Sequence, residues 1–243
     1  MASTSEVGHA KNVANFQDLI AFVEGYGPNY NPSKDRLKLP ELQNLYTEAN
    51  ESLNNVTAKN TNYNNAVNDR VEAFQDLRSL STRVVNALEI TDAPDEKIKD
   101  AKGFNRKIQG KRASKSETPV DPNDPAPKTI SSSQQSYDQL IQHFQGLISV
   151  LESEPSYAPN ETELQVATLQ TKAQDLESKN QKVATAYTAI SNARIERNKK
   201  LYKEDEGVVD TAGEVKKYVK SVYGATSPEY GQIKGISFRV VKS

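Results

Sequence analysis

The chain has no cysteine and no tryptophan. The first absence excludes disulfides, thiolate nucleophiles and Cys-ligated zinc or iron–sulfur centres. Histidine occurs only as His9 and His143. Charge of one sign is also missing, since 31 basic residues meet 32 acidic ones and leave a net charge of −1. With no excess positive field to release counterions from a phosphate backbone, nucleic acid is not an expected partner. The same near-neutrality argues against a solvated disordered tail, which needs high net charge as well as low hydrophobicity. Nowhere does an apolar run approach the ~20 residues of a membrane span. The opening MASTSEVGHAKNVANF has no basic stretch followed by an apolar one, so no secretory signal is expected and the cytoplasm is the expected location. The glycines are scattered, forming neither a phosphate-cradling loop nor a Gly-x-Ser-x-Gly elbow.

What is present falls into three blocks. Residues 111–133 collect Pro119, Pro122, Pro125 and Pro127 among Ser, Thr, Asp and Lys, and read as a solvated Pro-rich linker. It separates a first helical repeat, 1–110, from a second, 134–243. When Tyr30–Phe74 is placed over Tyr157–Leu201 at an offset of 127, ten of the 45 positions are identical, among them Tyr30, Leu37, Leu42, Val56, Asn65, Ala66 and Arg70. NAVNDR and NARIER are thus one phrase written twice. An offset of 134 then pairs Val85, Pro94 and Phe104 with Val219, Pro228 and Phe238, and an upstream offset of 121 pairs Phe16, Leu19 and Ile20 with Tyr137, Leu140 and Ile141. The chain reads as an internal duplication.

Periodicity supplies the fold class. Leu169, Ala173, Leu176, Asn180, Val183, Tyr187, Ile190, Arg194, Arg197 and Leu201 alternate in steps of four and three, and the first repeat holds the same rhythm from Leu42 to Phe74 and on through Leu77, Val84 and Leu88. Such spacing puts one stripe on one face of a long helix suited to shallow-angle, coiled-coil-like packing. No Gly or Pro lies between Pro40 and Pro94, nor between Pro159 and Gly207, so each long helix should run ~35 to 40 residues, or roughly 55 to 60 Å. Asn60–Asn65 is a weak point, yet the stripe keeps phase through it and a continuous helix is expected. A first helix should start near Ser5 and stop at the Gly25–Pro32 cluster. Pro155 and Pro159 should end its counterpart, which reads as about six residues longer. Tyr30 and Tyr157, each in a Tyr-x-Pro element, should fold back to fix the angle at which the long helices begin. The expected fold is an all-α, internally duplicated, elongated helical bundle.

Arg70, Arg197, Asn60 and Asn180 fall on the stripe. They read as polar layers that fix register, each Arg meeting a carboxylate on a facing helix. Tyr46, Tyr63 and Tyr187 read as core. Glu6 and His9 form one Glu-x-x-His, half of a di-metal motif, but Leu140 stands where the second Glu would precede His143, so His9 reads as a surface histidine. No catalytic, cofactor-binding or metal-ligating residue is assigned, and no cofactor is expected. The C-terminal GISFRVVKS alternates Ile236, Phe238 and Val240 against Ser237, Arg239 and Val241, a strand pattern. Its partner should be the segment from Phe104 in a small two-stranded β ribbon, or else a second molecule.

The SEVGHAKN opening, NAxxxR in both halves and the closing YGATSPEYGQIKGISF together resemble a set of uncharacterised helical proteins from Bacteroidota with an internal duplication. No activity is attached to that set, so the resemblance implies a fold and no site. The function expected is a non-catalytic structural or scaffolding protein, self-associating or bound to a protein partner. The alternative is an adaptor that holds a peptide or small ligand in a groove between the two repeats.

Overall fold

The computed structural model describes residues 6–111 and 135–241. The Pro-rich linker from Arg112 onward and the Ser5 cap lie outside the described residues. Those described are helical and contain no strand, which makes the fold all-α. None of the helices described is long and apolar enough to cross a membrane.

The elements are α1 (Val7–Gly25), α2 (Leu39–Phe74), α3 (Leu77–Glu89), α4 (Asp95–Ile108), α5 (Tyr137–Glu152), α6 (Val166–Tyr202), α7 (Val208–Tyr223) and α8 (Pro228–Lys234). The two long helices have 36 and 37 residues, within the span expected from the sequence. Pro40 sits in the first turn of α2, where its missing N–H breaks no intrahelical bond. α2 continues unbroken through Asn60–Asn65. It stops at Phe74, with no Gly or Pro to announce the break, and resumes as α3 after two residues. The stripe crosses that turn intact, with Leu77, Val84 and Leu88 all buried.

Contacts divide the chain into two compact units, Met1–Tyr63 with Ala186–Ser243, and Asn64–Thr185. The boundary falls inside the long helices and not at residues 111–133. Each unit therefore combines the early part of one repeat with the late part of the other. In the first unit, Phe16, Leu19 and Ile20 of α1 share a core with Leu42 and Ala49 of α2, Leu201 of α6, and Val208, Ala212, Val215 and Val219 of α7. In the second, Phe144, Leu147 and Ile148 of α5 share one with Leu169 and Leu176 of α6, Phe74 of α2, and Leu77, Val84 and Leu88 of α3. Within each unit the two long helices run antiparallel. Lys200 reaches Glu48 at 2.7 Å and the Tyr63 and Tyr187 rings lie 5.9 Å apart in the first. Lys172 meets Asp76 at 2.8 Å and Lys179 meets Asp69 at 3.5 Å in the second.

The approach to each long helix is built the same way in both units. The buried Tyr30 hydroxyl donates to the Leu37 carbonyl at 2.7 Å, and the Tyr157 hydroxyl donates to the Leu164 carbonyl at 2.8 Å. Burial pushes both phenols up, that of Tyr157 to about 12.

Several expectations are corrected by the burial pattern. The buried face of α1 (Val13, Phe16, Leu19, Ile20, Val23) matches that of α5 (Ile141, Phe144, Leu147, Ile148, Leu151) at an offset of 128, not 121. α5 is accordingly shorter than α1, 16 residues against 19, and not longer. Leu77, Val84 and Leu88 match Val208, Val215 and Val219 at 131, not 134. Isolated identities had set those two offsets, whereas a helix is aligned by its whole buried face. Tyr187 is 59% exposed rather than core. Asn60 faces solvent and forms no polar layer.

The β ribbon is also absent among the described residues. Phe104 lies within α4 and packs its ring against Gly146 of α5, where an added Cβ would collide with Phe104 Cε1. A residue in a helix offers no ladder to a strand. The alternating segment Ile236–Val241 pairs with no described strand: the Ile236 N–H donates to the Ile233 carbonyl, and the backbone groups of Ile236 (carbonyl), Ser237 and Arg239 bond to side chains.

Candidate functional site

The buried polar groups of the first unit converge near the start of α1. Arg197 comes in from α6 and is 1% exposed, the largest fully buried side chain described. A guanidinium there needs an anion. Glu6, one residue before α1, pairs with Arg197 Nη1, and the Asn198 side chain accepts from Arg197 Nε at 3.1 Å and Nη2 at 2.8 Å. Glu6 also stands 4.0 Å from Arg194 Nε. Arg197 thus meets the carboxylate expected of it, from the segment leading into α1 rather than from a long helix. That same pairing commits Glu6 to a cation.

His9 lies one turn on. It is not a surface residue, being only 1% exposed, and its Nδ1 is 2.7 Å from the Tyr202 hydroxyl. Burial, and next the Arg197 charge, lower its pKa, partly opposed by Glu6. Burial pushes the Tyr202 phenol up. Tyr202 also accepts from Asn12 Nδ2 at 3.2 Å and is hydrogen-bonded to the Val241 backbone.

Asn12 has a second task. Its Nδ2 donates to the Arg239 carbonyl at 2.7 Å, and its Oδ1 accepts from the Arg239 backbone N–H at 3.1 Å. One amide side chain satisfies both backbone groups of a residue, as a neighbouring strand would. One turn further on, Asn15 Nδ2 donates to the Ser237 carbonyl at 2.6 Å. Lys216 of α7 donates to the Ile236 carbonyl and sits 5.4 Å over the Phe238 ring. Val241 packs on Gly8, where an added Cβ would lie 2.9 Å from Val241 Cγ2. The C-terminal segment therefore runs antiparallel along α1. Two residues of extended chain advance ~6.6 Å and one helical turn ~5.4 Å, which keeps alternate residues in step with successive turns.

The second unit holds its buried polar groups differently. Arg70 Nη1 donates to Asn180 Oδ1 at 3.0 Å, and its guanidinium carbon lies 4.0 Å over the Tyr137 ring. Asn180 Nδ2 in turn donates to Asp138 at 2.7 Å. Arg70 thus reaches its carboxylate through an amide, not directly. His143 is buried on α5 without a partner for Nε2 among the described residues, and burial, followed by Lys107, lowers its pKa.

The alternation of Ile236 and Phe238 was visible in the sequence, but its receiving surface was missed. Asn12 and Asn15, spaced by three on α1, were the available signal; three residues apart on a helix means one face. Comparison with family models, with curated proteins and with solved structures finds no match.

Proposed function

We propose that this chain is a non-catalytic structural or scaffolding protein that self-associates, built from two copies of one ancestral helical unit packed along heptad-spaced stripes. One observation supports the reading: several buried positions of the two cores can be paired. Phe16 and Phe144, Leu19 and Leu147, Leu42 and Leu169, Val215 and Val84, and Val219 and Leu88 are each buried in the same role. Duplicated units give two similar surfaces, the ordinary starting point for assembly. His9 is engaged structurally with Tyr202 and Glu6 with Arg197. Light scattering over a concentration series, with negative-stain microscopy, tests this: rings, filaments or large assemblies are expected. A monomer at every concentration overturns it in favour of the second reading, an adaptor that holds a peptide. That reading is favoured by the Asn12 and Asn15 amides, which grip the backbone of an extended segment on α1.

A further inference from the structure

The C-terminal segment is bound as a ligand is bound. It contributes no fully buried side chain: Ile236, Phe238 and Val241 are half-buried, while Ser237, Arg239 and Val240 face solvent. Its attachment rests on main-chain hydrogen bonds from Asn12, Asn15, Lys216 and Tyr202, on the Val241–Gly8 contact, and on partial packing of Ile236 and Phe238 against the core. The element before it is anchored separately, since Ile233 of α8 is fully buried. A stretch with no fully buried side chain is the kind that opens locally while the fully buried residues beneath it stay packed.

The corresponding place in the second unit is filled differently. There α4 continues as helix for 14 residues and lays Phe104 on Gly146 of α5, whereas α8 ends after seven and leaves the extended segment to cover α1. The α1 site takes a detachable occupant where its counterpart has a built-in helix. Apolar surface also remains open around it. Val7 is 74% exposed beside Gly8, Val240 is 63% exposed beside Val241, and Phe22 helps line an open cleft of ≈ 450 Å³ against Ile236.

We propose that the α1 groove is an extended-peptide site whose partner is the C-terminal segment of a second copy of this chain, and that exchange of these segments links copies together. The inference rests on the scaffolding reading and gives it a contact. The occupant's fit is the one the structure displays, with Ile236 and Phe238 turned inward, the Arg239 backbone on Asn12 and Val241 on Gly8. Because recognition is by backbone and alternate apolar side chains, the groove accepts the segment whichever copy supplies it.

The absence of cysteine makes the test clean. An ideal Cβ on Gly8 lies 4.0 Å from Val241 Cβ, inside the ~3.5 to 4.5 Å range of disulfides. Full-length Gly8→Cys and Val241→Cys chains, prepared separately and mixed under mild oxidation, should give a disulfide-linked dimer. Its yield should rise with concentration and exceed about tenfold that of Gly8→Cys mixed with Val240→Cys, whose thiol faces solvent. Adding Asn12→Leu to the Gly8→Cys chain should remove most of that excess. A double variant Gly8→Cys/Val241→Cys that closes only within single chains, with no excess in the mixture, overturns the exchange. If scattering still shows assemblies, the scaffolding reading survives that result; if it shows monomers, both fall. A double variant that does not close overturns the docking itself, as does an excess unaffected by Asn12→Leu. Should Gly8→Cys not fold, a labelled peptide of residues 235–241 is added to the native chain. Saturable binding is expected, weakened about tenfold by Arg239→Pro, which removes the N–H that Asn12 accepts, and unchanged by Arg239→Ala. Absence of binding, or equal binding of both variants, overturns the proposal.

Discussion

At the residue scale the Glu6–Arg197 pair shows how sign and burial decide consequences. Arg197 is 1% exposed and Glu6 32%. Neutralising Glu6 therefore leaves, among the described residues, the Asn198 amide as the hydrogen-bond partner of a buried cation. Glu6→Gln should cost about 3 kcal/mol in denaturant unfolding, while Glu6→Gln/Arg197→Met should recover most of it, because an apolar side chain of similar volume needs no counter-ion. A double variant no more stable than Glu6→Gln would show that Arg197 is held by something other than its charge. The two histidines predict the response to acid. His9 faces Arg197, Glu6 and Tyr202, and His143 faces Lys107; burial lowers both pKa values below the unfolded ~6.5. The unfolded state then binds more protons as pH falls past that value, so stability is complete above it and lost progressively below it. Melting temperature should fall between pH 7.5 and 5.5, and His9→Gln/His143→Gln should flatten that slope. These sites were only partly legible: an Arg on an apolar stripe asks for a carboxylate, but the stripe does not say which segment delivers one. His9, which read as a surface histidine once the second half of the metal motif proved missing, is instead buried against Tyr202, 193 positions away.

At the element scale the long helices were the most legible feature. Both run for 36 and 37 residues without a break, α2 continuing through Asn60–Asn65, as the absence of Gly and Pro after Pro40 and Pro159 allows. Their starts are fixed by equivalent tyrosines, which allows a paired measurement. Tyr30→Phe and Tyr157→Phe each leave a buried carbonyl, Leu37 or Leu164, without its donor. Each should cost about 1 to 2 kcal/mol in chemical denaturation, and a marked inequality would show that the two helix starts are not equivalent. The C-terminal segment was legible as extended but not as partnerless in the β sense. Period-two alternation reports only that one side of the chain is covered. It is silent on whether a strand or a helix face provides the cover, and here Asn12 and Asn15 do so.

At the scale of the whole chain the sequence indicated a division at residues 111–133, whereas the compact units are bounded within α2 and α6. Helical periodicity identifies which face is buried and not what it is buried against, so Phe16 and Val215 could not be assigned to one core from spacing alone. Since α1 shares its core with α7, and α3 shares its core with α5, both cores hold the two halves together. A protease site introduced between Arg112 and Gln134 should, once cut, leave fragments that co-elute in gel filtration and separate only in denaturant. Separation in native buffer would contradict this arrangement.

The order of residues in the two units also sets an order of events on the ribosome. Asn64–Thr185 is consecutive, and its core can close as soon as the start of α6 has emerged. Phe16 and Leu19 must instead wait for Val215, Val219 and Ile233. At translation rates of ~5 to 20 residues per second, that is roughly 10 to 40 s with an apolar helix face unburied in the nascent chain. Of the described helices, α1 is made first and its core is completed late, and during that interval α1 is a segment in need of a chaperone.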